Sequence, residues 1–117
     1  MHDKSKENWN CGLSLLRQGS FNAATSRLYY GLFQAVLLYA RKRPDYTETR
    51  DNKHVKMIEV VSKEPANGQR YRRLLYDFKK HRETADYDPD PVDIAEVRRI
   101  LSDCQLMRNH YLKAAGY

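Results

Sequence analysis

Apolar residues in this chain recur with a helical period. Trp9, Gly12, Leu13 and Leu16 fall at i, i+3, i+4 and i+7, which predicts a first amphipathic helix from about Ser5 to Gln18, ended by Gly19. Ser20 or Asn22 stands where a second helix needs a cap. That helix carries Phe21, Ala24, Leu28, Leu32, Ala35 and Tyr39 on one face. Tyr29, Phe33, Val36 and Leu37 make most of its remaining circumference apolar, so it is expected to be packed on several sides. Arg41, Lys42 and Arg43 suit a helix C-terminus, and Pro44 disfavours helix at the residue before it. A polar connection to about Asn52 leads into a shorter helix, His54 to Lys63, with Val55, Met57, Ile58 and Val61 on its apolar side. Pro65-Ala66-Asn67-Gly68 then has the chemistry of a turn.

Tyr71, Leu74, Leu75 and Phe78 repeat the first pattern and predict a fourth helix reaching about Ala85, broken by Asp88-Pro89-Asp90-Pro91. Asp90 is expected to cap the last helix, with Pro91 at its first position and Asp93 in its first turn. The stripe Ile94, Val97, Leu101, Cys104 and Tyr111 follows. No period-2 alternation bounded by hairpin turns and no internal repeat occurs. The expected fold class is therefore all-α: four main helices and one short helix forming a single domain across residues 1–117.

Composition narrows the picture. Hydrophobic residues make up 41% and charged residues 31%, with 4 prolines and 5 glycines, a globular balance that argues against disorder. The longest apolar run, Leu28 to Ala40, is interrupted by Gln34 and falls short of the roughly 20 residues a membrane span requires, so no membrane partner is expected. Cys11 and Cys104 lie far apart without a Cys-x-x-Cys pair. The chain opens Met1-His2-Asp3-Lys4 without an apolar segment, so reduced thiols and a cytoplasmic location are expected. The net charge of +6 and the pI of about 9.4 permit contact with phosphates.

Several chemistries need residue patterns that this chain lacks. It has no G-x-G-x-x-G or P-loop, no zinc-spaced Cys/His set and no Glu-x-x-His pair, so neither cofactor nor metal is expected. Arg82 is the first residue to stand out. The 100° step of the fourth helix puts it beside Leu75 and Phe78 on the apolar stripe, where an unpaired guanidinium is costly. Asp86, four residues on, is the expected partner, either as a structural ion pair or as part of a ligand site. On the second helix Arg27, Tyr30 and Gln34 fall at i, i+3 and i+7. They form a polar line that would border a cleft or dimer interface, or simply the helix's wet edge. Between Arg70 and Arg82 six cations face one anion, Asp77. Arg72, Arg73, Lys79 and Lys80 are expected to form a basic surface for phosphates or an acidic partner, or else a solvated helix face. His54 and His81 are the weak catalytic candidates, each with a surface or capping role as the alternative.

Two motifs together carry a resemblance. Phe21-Asn22-Ala23-Ala24-Thr25-Ser26-Arg27-Leu28-Tyr29-Tyr30, with Phe33 and Ala35 beyond it, precedes an isolated His54 and then Arg82-Glu83-Thr84-Ala85-Asp86-Tyr87. In this order, over nearly the whole chain, these elements resemble the HEPN family, named for nucleotide-binding domains of higher eukaryotes and prokaryotes. The resemblance implies an up-and-down four-helix bundle with an additional short helix. It also implies a homodimer, often encoded beside a minimal nucleotidyltransferase in toxin-antitoxin or defence systems. Many relatives are metal-independent RNases that use an Arg, then four to six intervening residues, then His, sometimes with a Tyr beyond. This chain has no such spacing: with Tyr87 matched to that tyrosine, Lys80 stands for the Arg and Ala85 for the His. Alanine moves no proton. The expected function is thus nucleotide or RNA binding, or service to a nucleotidyltransferase partner, with a ligand site at Arg27, Tyr30, His54, Arg82, Asp86 and Tyr87. A metal-independent RNase toxin with a rearranged His81 or His54 beside Arg82 is the rival expectation. A non-catalytic helical interaction module is the third. In some relatives the signature tyrosine accepts a nucleotidyl group, a role that would fall to Tyr87.

Overall fold

The computed structural model describes residues 2–117, and among them it is all-helical. Helix α1 spans His2–Arg17, α2 Phe21–Arg41, α3 Lys53–Ser62, α4 Gly68–Tyr87 and α5 Ile94–Ala114. The Cα radius of gyration is 13.6 Å, close to the ~13 Å usual for a chain of about this length. No helix is long and apolar enough to cross a membrane.

Helix α2 is the centre of the molecule: α1, α3, α4 and α5 all pack against it. Twelve of its 21 residues are buried, as its nearly continuous apolar circumference predicts. Helix α1 runs antiparallel to it at very close range. A Cβ added to Gly31 would lie 3.0 Å from the Trp9 backbone nitrogen, and one on Gly12 would lie 2.6 Å from Leu28 Cγ. These two glycines let the helix backbones approach, and Ser5 Oγ donates to the Gly31 carbonyl at 2.7 Å across the same contact. The main core joins Trp9, Leu28, Tyr29 and Leu32 to Met57, Phe78 and Tyr111. Burial also holds the Cys104 thiol far from reactivity, with its pKa pushed up to about 12 by desolvation, then by Asp103 and Asp77.

Two caps differ from the expectation. Ser20 occupies the N-cap of α2 but makes no side-chain cap. Asn22 lies inside the helix, where its Oδ1 accepts from the Val92 backbone N–H at 3.1 Å. The last helix starts at Ile94, with Asp93 rather than Asp90 as its cap; the Asp93 side chain accepts from the Glu96 N–H. Packing holds the connection ahead of the helix: Val92, 6% exposed, is drawn into the core, while the Asp90 N–H donates to Asp88 Oδ1 at 2.9 Å. The intervening residues are spent on docking the connection to α2 before the helix begins.

Candidate functional site

Leu75, Phe78 and Arg82 share one face of α4, and the helix carries all three inward against α2. Arg82 is only 6% exposed. Its guanidinium carbon lies 5.5 Å from the ring centroid of Tyr29, 5.6 Å from that of Tyr30 and 5.8 Å from that of Tyr87. Three rings therefore cradle one cation. The expected carboxylate is present but holds it loosely: Arg82 Nη1 meets Asp86 Oδ2 at 3.4 Å, a single contact rather than a fork. Ser26 Oγ reaches the same oxygen, also at 3.4 Å. The Arg82 Nε is buried without any hydrogen-bond partner. A buried donor left without a partner costs about 1–3 kcal/mol.

His54 enters this cluster from the first turn of α3, half-buried against Phe33 at 4.7 Å between ring centroids. Its Nδ1 lies 2.6 Å from the Tyr29 hydroxyl. Burial raises the Tyr29 pKa well above the ordinary phenol value despite the opposing pull of Arg82. Burial lowers that of His54, helped by Arg82 and Lys79 and opposed by Glu83. Both groups are thus neutral near pH 7. The fully buried Tyr29 hydroxyl has no other acceptor among the described residues, so its proton goes to His54 Nδ1. That assignment leaves the histidine as the Nε2–H tautomer, a donor at its free nitrogen.

This titration makes a pH prediction. The folded state resists protonating His54, so the unfolded chain binds the extra proton, and stability is lost as pH falls below the ordinary histidine value of about 6.5. The thermal midpoint is expected to drop between pH 7.5 and 5.5, and to drop less in His54→Gln. An identical decline in both proteins would show that His54 is not the group responsible.

The cluster gathers Tyr30, His54, Arg82, Asp86 and Tyr87, five of the six residues expected in the site. Arg27 is not among them. It turns toward α1, where Nη1 donates to Asn8 Oδ1 at 3.0 Å, and Asn8 Nδ2 in turn donates to Gln34 Oε1 at 2.9 Å. The expected Arg27-Tyr30-Gln34 line is therefore divided: Asn8 ties its two ends to α1, while Tyr30 faces α3 and α4. His81 lies toward Glu96 of α5, on a different face of α4 from Arg82. Lys79 leaves the basic surface for the site's edge, pairing with Glu83 at 2.8 Å, whose carboxyl is held below its ordinary range by that bond. Arg72, Arg73 and Lys80 remain exposed.

Tyr29 was hidden in the sequence because it reads as one apolar residue among many on α2; only its buried hydroxyl, which must find a partner, marks it. Ser26 stood in the sequence only as a member of the Phe21–Tyr30 motif. Among the described residues no group of three or more His, Cys, Asp or Glu side chains is placed to hold a metal ion. No family model, no curated protein and no solved structure matches this chain.

Proposed function

We propose that this chain is a HEPN-type protein: an up-and-down four-helix bundle with an additional short helix that pairs with a second copy of itself. It holds a nucleotide or RNA phosphate at the Arg82 cluster. In this reading it serves a minimal nucleotidyltransferase in a toxin-antitoxin or defence system and lacks the family's usual RNase site. The observation that carries the proposal is the guanidinium of Arg82, turned inward among three tyrosine rings with one 3.4 Å carboxylate contact and an idle Nε. A guanidinium suits a phosphate, and aromatic faces suit bases. The His54 Nε2–H adds a neutral donor beside them.

The same geometry argues against strand cleavage. A general base needs an available lone pair near neutral pH, and the free nitrogen of His54 carries a proton while its other nitrogen accepts from Tyr29. His81 sits away from Arg82 and supplies no substitute. Tyr87, 77% exposed beside Arg82, is the hydroxyl available to accept a nucleotidyl group. In that transfer its oxygen would attack the α-phosphorus of a nucleoside triphosphate, the bond to the β-phosphate would break, pyrophosphate would leave, and the phenolic proton would pass to solvent.

Two measurements test the reading. Calorimetric titration with ATP is expected to give saturable binding to the isolated protein. Co-expression with a candidate nucleotidyltransferase is expected to yield a complex and an intact-mass increase of one nucleotidyl group, absent in Tyr87→Phe. No heat with ATP, no complex and no added mass would reject it. RNA cleavage that His54→Ala abolishes without unfolding the protein would replace it with the RNase reading.

A further inference from the structure

The outer face of α4 carries a second arrangement that the Arg82 cluster does not use. Gln69, Arg72, Arg73, Tyr76 and Asp77 line an open depression, and a neighbouring groove continues from Arg73 and Asp77 toward Arg99 on α5. Of the cations along this helix, Arg70 is paired with Asp103 at 2.7 Å and Lys79 with Glu83 at 2.8 Å. Arg72, Arg73 and Lys80 have no ion-pair partner among the described residues. Tyr76 stands among them 46% exposed, with Lys80 Nζ 5.0 Å from its ring centroid. Tyr76 keeps nearly half of its surface in water, and Arg72, Arg73 and Lys80 concentrate positive charge around it.

We propose that this face binds single-stranded nucleic acid, with Arg72, Arg73 and Lys80 meeting successive phosphates and the Tyr76 ring stacking on a base. Charge argues for a polyanion. The ring argues for an unpaired base, since a duplex keeps its base faces stacked inside and offers a tyrosine only phosphates and groove edges. An acidic protein would use the cations but offers no regular run of planar bases alongside its charges for Tyr76 to stack on. The face lies about a third of a turn around α4 from Arg82, so the proposal stands whether or not the Arg82 cluster takes a nucleotide.

Fluorescence anisotropy with a labelled 12-nucleotide oligouridylate, and with the same length of duplex, tests it in the full chain. The single strand is expected to bind with strong salt dependence, and the duplex more weakly. Tyr76→Ala is expected to weaken single-strand binding on the order of tenfold while leaving the slope against salt unchanged. Arg72→Gln with Arg73→Gln is expected to flatten that slope. Tyr76 is a surface residue, so circular dichroism should show an unchanged fold; Tyr76→Trp should keep or raise the affinity. Equal affinity for single strand and duplex, unchanged binding in Tyr76→Ala, or binding of polyglutamate in preference to the oligonucleotide would each overturn the proposal. Tyr76→Ala should leave the ATP titration unchanged, which separates this face from the Arg82 cluster.

Discussion

Arg82→Met is expected to leave the domain folded, with a thermal midpoint equal to or above that of the wild type, and to weaken ATP binding by at least about tenfold. The direction follows from what the guanidinium costs. Arg82 is 6% exposed, yet its Nε has no partner and its one carboxylate contact is 3.4 Å long. Burying a charge so poorly compensated is often no better than burying a hydrophobic side chain of the same length, and sometimes worse by about 1–4 kcal/mol. Methionine fills the same channel between the tyrosine rings without the desolvation. Asp86 loses its cation, but its side chain is 27% exposed and regains water. Affinity behaves oppositely, because a charge-assisted bond to phosphate disappears with the guanidinium. Differential scanning calorimetry and ATP titration on the same samples decide the matter. A loss of stability of more than about 2 kcal/mol with unchanged ATP affinity would show that Arg82 is a structural residue only.

Phe78→Ala is expected to be the most destabilising single substitution near the site, at about 3–5 kcal/mol. Phe78 is fully buried in the core cluster, and its ring centroid lies 6.1 Å from that of Tyr29. Truncating it removes a large apolar side chain and leaves a void between α2 and α4 that neighbouring groups fill only partly. A chain of this size should lose on the order of 10–20 °C from its thermal midpoint. The void also frees Tyr29, whose hydroxyl sets the His54 tautomer 2.6 Å away. The His54 ring resonances should therefore titrate closer to the ordinary histidine value in whatever fraction remains folded. Urea unfolding that shifts by less than about 1 kcal/mol would mean that this face of α4 is not packed as described.

The two inward guanidiniums show how far pattern reading reaches. Arg82 was legible because it follows Leu75 and Phe78 at helical spacing, and the structure buries it. Arg108 follows the same rule, four residues after Cys104 and three before Tyr111, and is 8% exposed. Its Nε donates to Ser5 Oγ at 3.2 Å, with its guanidinium 5.4 Å from the Trp9 ring centroid. The stripe Ile94, Val97, Leu101, Cys104 and Tyr111 omits it because a charge interrupts an otherwise apolar pattern. Burial of that charge depends on Ser5, 103 residues away, and no local spacing announces that serine.

By itself, the order of apolar residues determined that this chain makes five helices, roughly where each lies, and that α2 is enclosed, because these follow from interactions within a few residues. It also determined that Arg82 turns inward. Only the tertiary structure decided which polar groups meet across helices: Tyr29 with His54, Arg27 with Asn8 and Asn22 with Val92. It likewise moved the cap of α5 from Asp90 to Asp93. A hydrogen bond needs its two atoms within a few tenths of an ångström of the right separation, whereas a helix face needs only the right side of a cylinder. Periodicity supplies the second kind of precision, and packing alone supplies the first.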